Sequence, residues 1–151
     1  MMKKILSMCF LSIAVILLSG CTDSFIATDE TLNLDTFLEL LEANGFSFEV
    51  DEWQAPGFLN VHQNTVHIGD EQLTIYEYDS HEAMLIDASF VGRSGFSIEN
   101  TISGYAVQIS WVSDPYWFKR DLIIVQYTGT NRRIINFLHE TLELFAGHGY
   151  Q

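Results

Sequence analysis

The chain has 151 residues, 48% of them hydrophobic, with 7 Lys and Arg against 20 Asp and Glu for a formal net charge of −13. That apolar content supports one packed core and excludes a disordered chain. The acidity repels phosphate backbones and anionic headgroups, which excludes nucleic acid as a partner and leaves any membrane attachment to something other than basic residues.

The first predicted element is an export signal. Lys3 and Lys4 precede an apolar run from Ile5 to Leu18, followed by the small residues Ser19 and Gly20. As a helix this run would span only about 21 Å, short of the roughly 30 Å hydrocarbon core, so a spanning segment is the poorer reading. It ends in Leu18-Ser19-Gly20-Cys21, which resembles the lipobox of bacterial lipoproteins. That resemblance implies a cysteine diacylated on sulfur that becomes the new N-terminus. A thiolate is a suitable nucleophile for this transfer, and two acyl chains anchor stably where one does not. Residues 1–20 therefore read as a lipoprotein signal peptide, 21–30 as a polar tether carrying lipidated Cys21, and 31–151 as a single domain. The tether, a coil of about nine residues, reaches about 15–18 Å. Loss of Cys9 with the signal and use of Cys21 by lipid leave the domain no disulfide, thiolate ligand or cysteine nucleophile. The signal also removes Lys3 and Lys4 but no acidic residue, taking the balance to −15.

Within the domain, Leu34, Phe37, Leu38 and Leu41 recur at helical spacing, with Asn33 or Asp35 as cap and Asn44-Gly45 as stop. "FSFEVDE" alternates strictly and predicts a strand with one wet face. "TVHI" and "LTIYEYD" flank Gly69, Asp70 and Glu71 and predict a hairpin. Asp79 and Glu82 stand at capping-box spacing before "HEAMLIDASFV", a second helix. A short strand follows around Phe96 to Ile98. "YAVQISWV" sets Val107, Ile109 and Trp111 against Gln108 and Ser110, and "DLIIVQY" is apolar on both faces, as in the centre of a sheet. Ile134, Ile135, Leu138, Leu142 and Phe145 form the stripe of a C-terminal helix closed by Gly147. This order predicts an α+β domain: an antiparallel sheet of about five to six strands with the helices packed on one face and the other face at least partly open.

Several residues are candidates for function. Ser47, Glu49, Asp51, His67, Tyr76, Tyr78, Gln108 and Ser110 would share the open face, where tyrosines amid short polar residues make a recognition surface. "DPYWFKRD" reads as a connection between strands, with Trp117, Lys119 and Arg120 as contact residues of types favoured at binding hot spots. "YTGTNRR" ends a strand and starts a helix, so Arg132 and Arg133 would strengthen the pull of free N–H groups on an anion, or be neutralised by the domain's carboxylates. Metal chemistry has little support. "HEAML" has Leu85 where the zinc motif H-E-x-x-H needs its second histidine, and His139 with Glu143, one helical turn apart, lacks a further visible ligand. "GRSGF" has its second glycine one place too early for a nucleophile elbow. No catalytic residue, metal or cofactor is assigned.

From about Gly57 to Gly147 the chain resembles a group of small bacterial lipoproteins of unknown function. The resemblance lies in "IYEYDSHEAMLIDA", "PYWFKRDLIIVQYTG" and the closing "LFAG" after a helix. Such proteins often carry a histidine after the proline, where this chain has Tyr116. The resemblance implies an address, the extracytoplasmic face of a bacterial cell membrane or outer membrane, and no activity. The expectation is a non-enzymatic module that binds an envelope protein or a small ligand. The alternative is a small envelope hydrolase, metal-assisted through His139 and Glu143.

Overall fold

The computed structural model describes residues 31–54, 57–59 and 61–151, so the signal, the tether and Cys21 lie outside the described residues. In chain order the elements are α1 (Leu34–Ala43), β1 (Glu49–Gln54), β2 (Gln63–Ile68), β3 (Glu71–Glu77), α2 (His81–Ala88), β4 (Ser97–Asn100), β5 (Tyr105–Gln108), β6 (Pro115–Arg120), β7 (Ile123–Thr128), α3 (Arg132–Thr141) and β8 (Glu143–Gly147). Six strands form one antiparallel sheet in the order β1-β2-β3-β7-β6-β8, and β4 pairs with β5 in a separate small sheet. The protein is an α+β domain, as the pattern of elements predicts.

Local chemistry explains most boundaries. Asn33 caps α1: its side chain accepts from the Thr36 amide at 2.9 Å, and the Thr36 hydroxyl accepts from the Asn33 amide at 2.9 Å. Asp35 lies inside the first turn instead. Pairing of Ile68 with Glu71 leaves Gly69-Asp70 as a two-residue turn, and Gly69, at φ +61°, takes the left-handed conformation such turns require. The cap of α2 is Ser80, one residue after the expected Asp79, with its hydroxyl 3.2 Å from the Ala83 amide. β7 is buried from Ile123 to Tyr127, as befits an inner strand with both faces covered.

Alternation along the strands sends side chains into two cores. Ile75, Phe118 and Val125 pack with Phe37 and Leu41 of α1 and with Ile134 and Phe137 of α3. Tyr76, Trp117 and Ile124 point the other way, towards Met84 and Ala88 of α2 and Ile98 of β4. Two helices thus share one face, while α2 and the β4–β5 hairpin cover much of the other. The expectation of an open face carrying the tyrosines is corrected: Tyr76 and Tyr78 are 1% and 4% exposed. Period-two alternation tells which residues share a face but not what covers it. Gln108 also leaves that surface, because β5 pairs only with β4, and Ser110 lies beyond the end of β5.

Two further expectations change. "DPYWFKRD" is largely the strand β6, with Trp117 fully buried, and the connection to β7 is the turn at Asp121-Leu122. The C-terminal helix stops at Thr141, Leu142 is extended, and Phe145 belongs to the edge strand β8. Leu142, Leu144 and Ala146 fit a period of two as well as Leu138 and Leu142 fit a helical turn, so the apolar pattern by itself leaves the break open.

Candidate functional site

The C-terminal turn of α2, the β4–β5 hairpin and segment 57–59 enclose a cleft of about 360 Å³. Each wall has a local origin. Asn100 accepts the Ile102 and Ser103 amides at 3.0 and 2.9 Å, which shapes the hairpin tip and places Ser103 and Tyr105 at the rim. Leu59 and Ile98, both buried, contribute apolar lining. Phe58 meets Trp111 edge-on at 5.6 Å, Trp111 meets Trp117 at 6.3 Å, and Trp117 stacks on Tyr76 at 6.2 Å. This file of rings connects the cleft wall to the centre of the sheet.

Both indoles donate to one oxygen, the Gly95 carbonyl, at 2.9 Å from Trp111 and 3.2 Å from Trp117. Gly95 sits at φ +76°, and a Cβ there would stand 2.9 Å from Pro115 Cγ and 3.0 Å from Trp117 Cδ1. The glycines of "GRSGF" therefore serve a packed turn beneath two tryptophans rather than a catalytic serine.

The charged side chain among the described lining residues is Asp87, half-buried on α2, whose Oδ2 accepts from the Tyr78 hydroxyl at 3.2 Å. Burial pushes the Asp87 carboxyl above its ordinary value, and the Tyr78 hydrogen bond acts against that rise. Burial first, then the neighbouring Asp87 charge, push the Tyr78 phenol upward, so it stays a proton donor. Tyr76 is likewise raised by burial, opposed by a hydrogen bond to the Phe58 backbone that ties segment 57–59 to the sheet.

No family model, curated protein or solved structure matches this chain.

The residues singled out in the sequence fall in four places rather than one. Tyr76, Tyr78 and Trp117 belong to the second core, although the Tyr78 hydroxyl reaches Asp87. Glu49 and His67 are cross-strand partners at the sheet corner, and His67 Nε2 lies 3.0 Å from Asp51 Oδ2 in an exposed pair. Lys119 reaches Glu143 across β6–β8 at 3.2 Å, and Arg120 donates to the Thr141 carbonyl at 3.0 Å, at the end of α3. Arg132 is exposed and shares an open depression with Glu140, so the charge there is mixed.

Arg133 differs from expectation. Its guanidinium donates to the carbonyls of Asn44 and Gly45 at 2.8 and 2.9 Å and lies 4.2 Å from the centre of the Phe46 ring. The guanidinium is thus held at the carbonyl-rich end of α1, where the helix dipole favours a cation. The Asn131 side chain already accepts the Arg133 and Ile134 amides at 3.1 and 3.5 Å.

His139 and Glu143 do not share a helix face, because α3 ends between them. His139 packs edge-on to Phe118 at 5.1 Å, and Glu143 takes the Lys119 ammonium. His148 pairs with Asp114 at 3.0 Å. Among the described residues, no group of three or more His, Cys, Asp or Glu could hold a metal ion, and no helix is long and apolar enough to cross a membrane.

Reasoning from sequence missed the cleft residues Phe58, Asp87, Phe90, Asn100, Ser103 and Tyr105. One signal was present: Asp87 follows Met84 by three and precedes Ala88 and Phe90, which places a carboxylate beside the buried stripe of a short helix.

Proposed function

We propose that this chain is a lipid-anchored protein of the bacterial cell envelope, held by acylated Cys21, that binds a small ligand without transforming it in the cleft between α2 and the β4–β5 hairpin. The anchor reading is supported by the run of n-region, h-region and Leu-Ser-Gly-Cys. The binding reading is carried by the cleft itself: aromatic and aliphatic walls around a half-buried carboxylate, in a volume at the lower end of the roughly 300–1,000 Å³ usual for small-molecule sites. The Tyr78 phenol, kept protonated by burial and by the neighbouring Asp87 charge, offers that carboxylate a fixed hydrogen bond at the cleft.

The seat is tested by screening small fragments against the isotope-labelled domain. Hits whose amide shifts cluster on Phe58, Asp87, Phe90 and Tyr105, and disappear when Ser103→Trp fills the cleft, are expected. Hits scattered over the surface would end the reading. The anchor is tested by metabolic labelling with an alkyne palmitate, where label persisting in Cys21→Ala would refute acylation at that residue.

A further inference from the structure

Asp87 brings into the cleft a charge that no cation among the described residues matches. It accepts one hydrogen bond, from Tyr78, and among the described residues no ion pair involves it. The cations of residues 31–151 are Arg93, Lys119, Arg120, Arg132 and Arg133. Arg93 lies over the Tyr150 ring at 5.5 Å, Lys119 pairs with Glu143, Arg120 with the Thr141 carbonyl and Asp121, and Arg133 with the end of α1. Arg132 starts α3, which packs on the opposite face of the sheet. A carboxylate taken partly out of water without a cationic partner is unfavourable, and a ligand that brings the partner recovers that loss.

The walls narrow the chemistry of that partner. Phe58 and Tyr105 keep 36% and 52% of their surface exposed, and Phe90 lines the cleft beside them. Aromatic ring faces attract organic cations and accept apolar groups equally well. A hard metal cation would need six or more oxygen ligands, whereas among the described residues Asp87 is the only acidic side chain lining the cleft. An anion would be repelled by Asp87, and a neutral ligand would leave it unpaired.

Resting on the reading of this cleft as a ligand seat, we infer that it takes a small organic ammonium ion, with its nitrogen against Asp87 and its apolar body against Phe58, Phe90 and Tyr105. The acid surface of the domain concentrates such cations around it.

The test compares benzylamine, charged at neutral pH, with benzyl alcohol, which has nearly the same shape and no charge. Chemical shifts of the labelled domain are followed during titration with each. The expected result is saturable binding of benzylamine at the cleft, about tenfold tighter than benzyl alcohol, with the preference abolished in Asp87→Asn. The comparison of the two ligands on the unaltered protein needs no variant, so a folding defect in Asp87→Asn does not remove the test. Equal affinities, or a preference that survives Asp87→Asn, would overturn the ammonium assignment and leave the seat standing. Benzylamine saturating only around Glu49 and Asp51 would overturn it too. A cleft that takes neutral fragments but not benzylamine defeats this inference alone, and a cleft that takes neither defeats the seat as well.

Discussion

At the scale of single residues, Asp87 and Arg133 show how environment assigns a role that residue type leaves open. The Asp87 carboxyl titrates above its ordinary value of 3.8 because burial disfavours its charge. In the window above that value the folded state holds more protons than the unfolded one, so this group's contribution to stability falls as pH rises through it. Asp87→Asn removes that dependence. Thermal melts from pH 3 to 7 should therefore show the variant gaining on the parent as pH rises and then levelling, and a flat difference would contradict the shift. Arg133 fastens the start of α3 to the end of α1 through two carbonyls and a ring. Arg133→Ala should lower unfolding free energy by about 1–2 kcal/mol, with Arg133→Lys recovering only part, since an ammonium lacks the planar fork that spans both acceptors. Denaturant titrations would measure both. The carbonyl partners of Arg133 are not visible in the linear chain, because they lie 88 and 89 residues away in it.

At the scale of elements, the β4–β5 hairpin and α2 decide whether the cleft exists. Asn100 holds the hairpin tip with one side-chain oxygen accepting two amides. Asn100→Ala should leave the main sheet intact while amides 102–105 exchange faster with solvent and fragment binding at the cleft weakens. Unchanged exchange would mean the tip is held by other contacts. Element type was legible wherever one periodicity was unambiguous, as in α1, the β2–β3 hairpin and β7. It failed where two fitted. Leu138, Leu142 and Phe145 serve a helix, Leu142, Leu144 and Ala146 serve a strand, and the extended conformation of Leu142 resolves the conflict in favour of pairing β8 with β6. "PYWFKR" was misplaced because charges and a proline resemble a connection, yet proline at the first position of a strand is compatible with pairing.

At the scale of the whole molecule, the central sheet divides two cores, and the candidate site depends on the second. Its centre is Tyr76 stacked on Trp117, both fully enclosed. Tyr76→Ser should cost about 3–5 kcal/mol, as loss of a large buried aromatic does, with loss of near-ultraviolet dichroism ahead of helix signal. A folded, merely ligand-blind Tyr76→Ser would restore the tyrosine face as a recognition surface. The chain enters the domain at one end of the sheet, where the Leu32 amide donates to Asp121 at 2.9 Å and the Leu34 amide to Glu77 at 3.1 Å. Composition, charge, the acidic surface and the alternation of the strands follow from the sequence by itself, because each rests on residue type or on neighbours within one turn or strand. The covering of the second face, the turn beneath the two tryptophans, and the meeting of Asp87 with Phe58, Phe90 and Tyr105 were decided only by the tertiary structure. They depend on which distant segments pack together, and local periodicity carries no record of that.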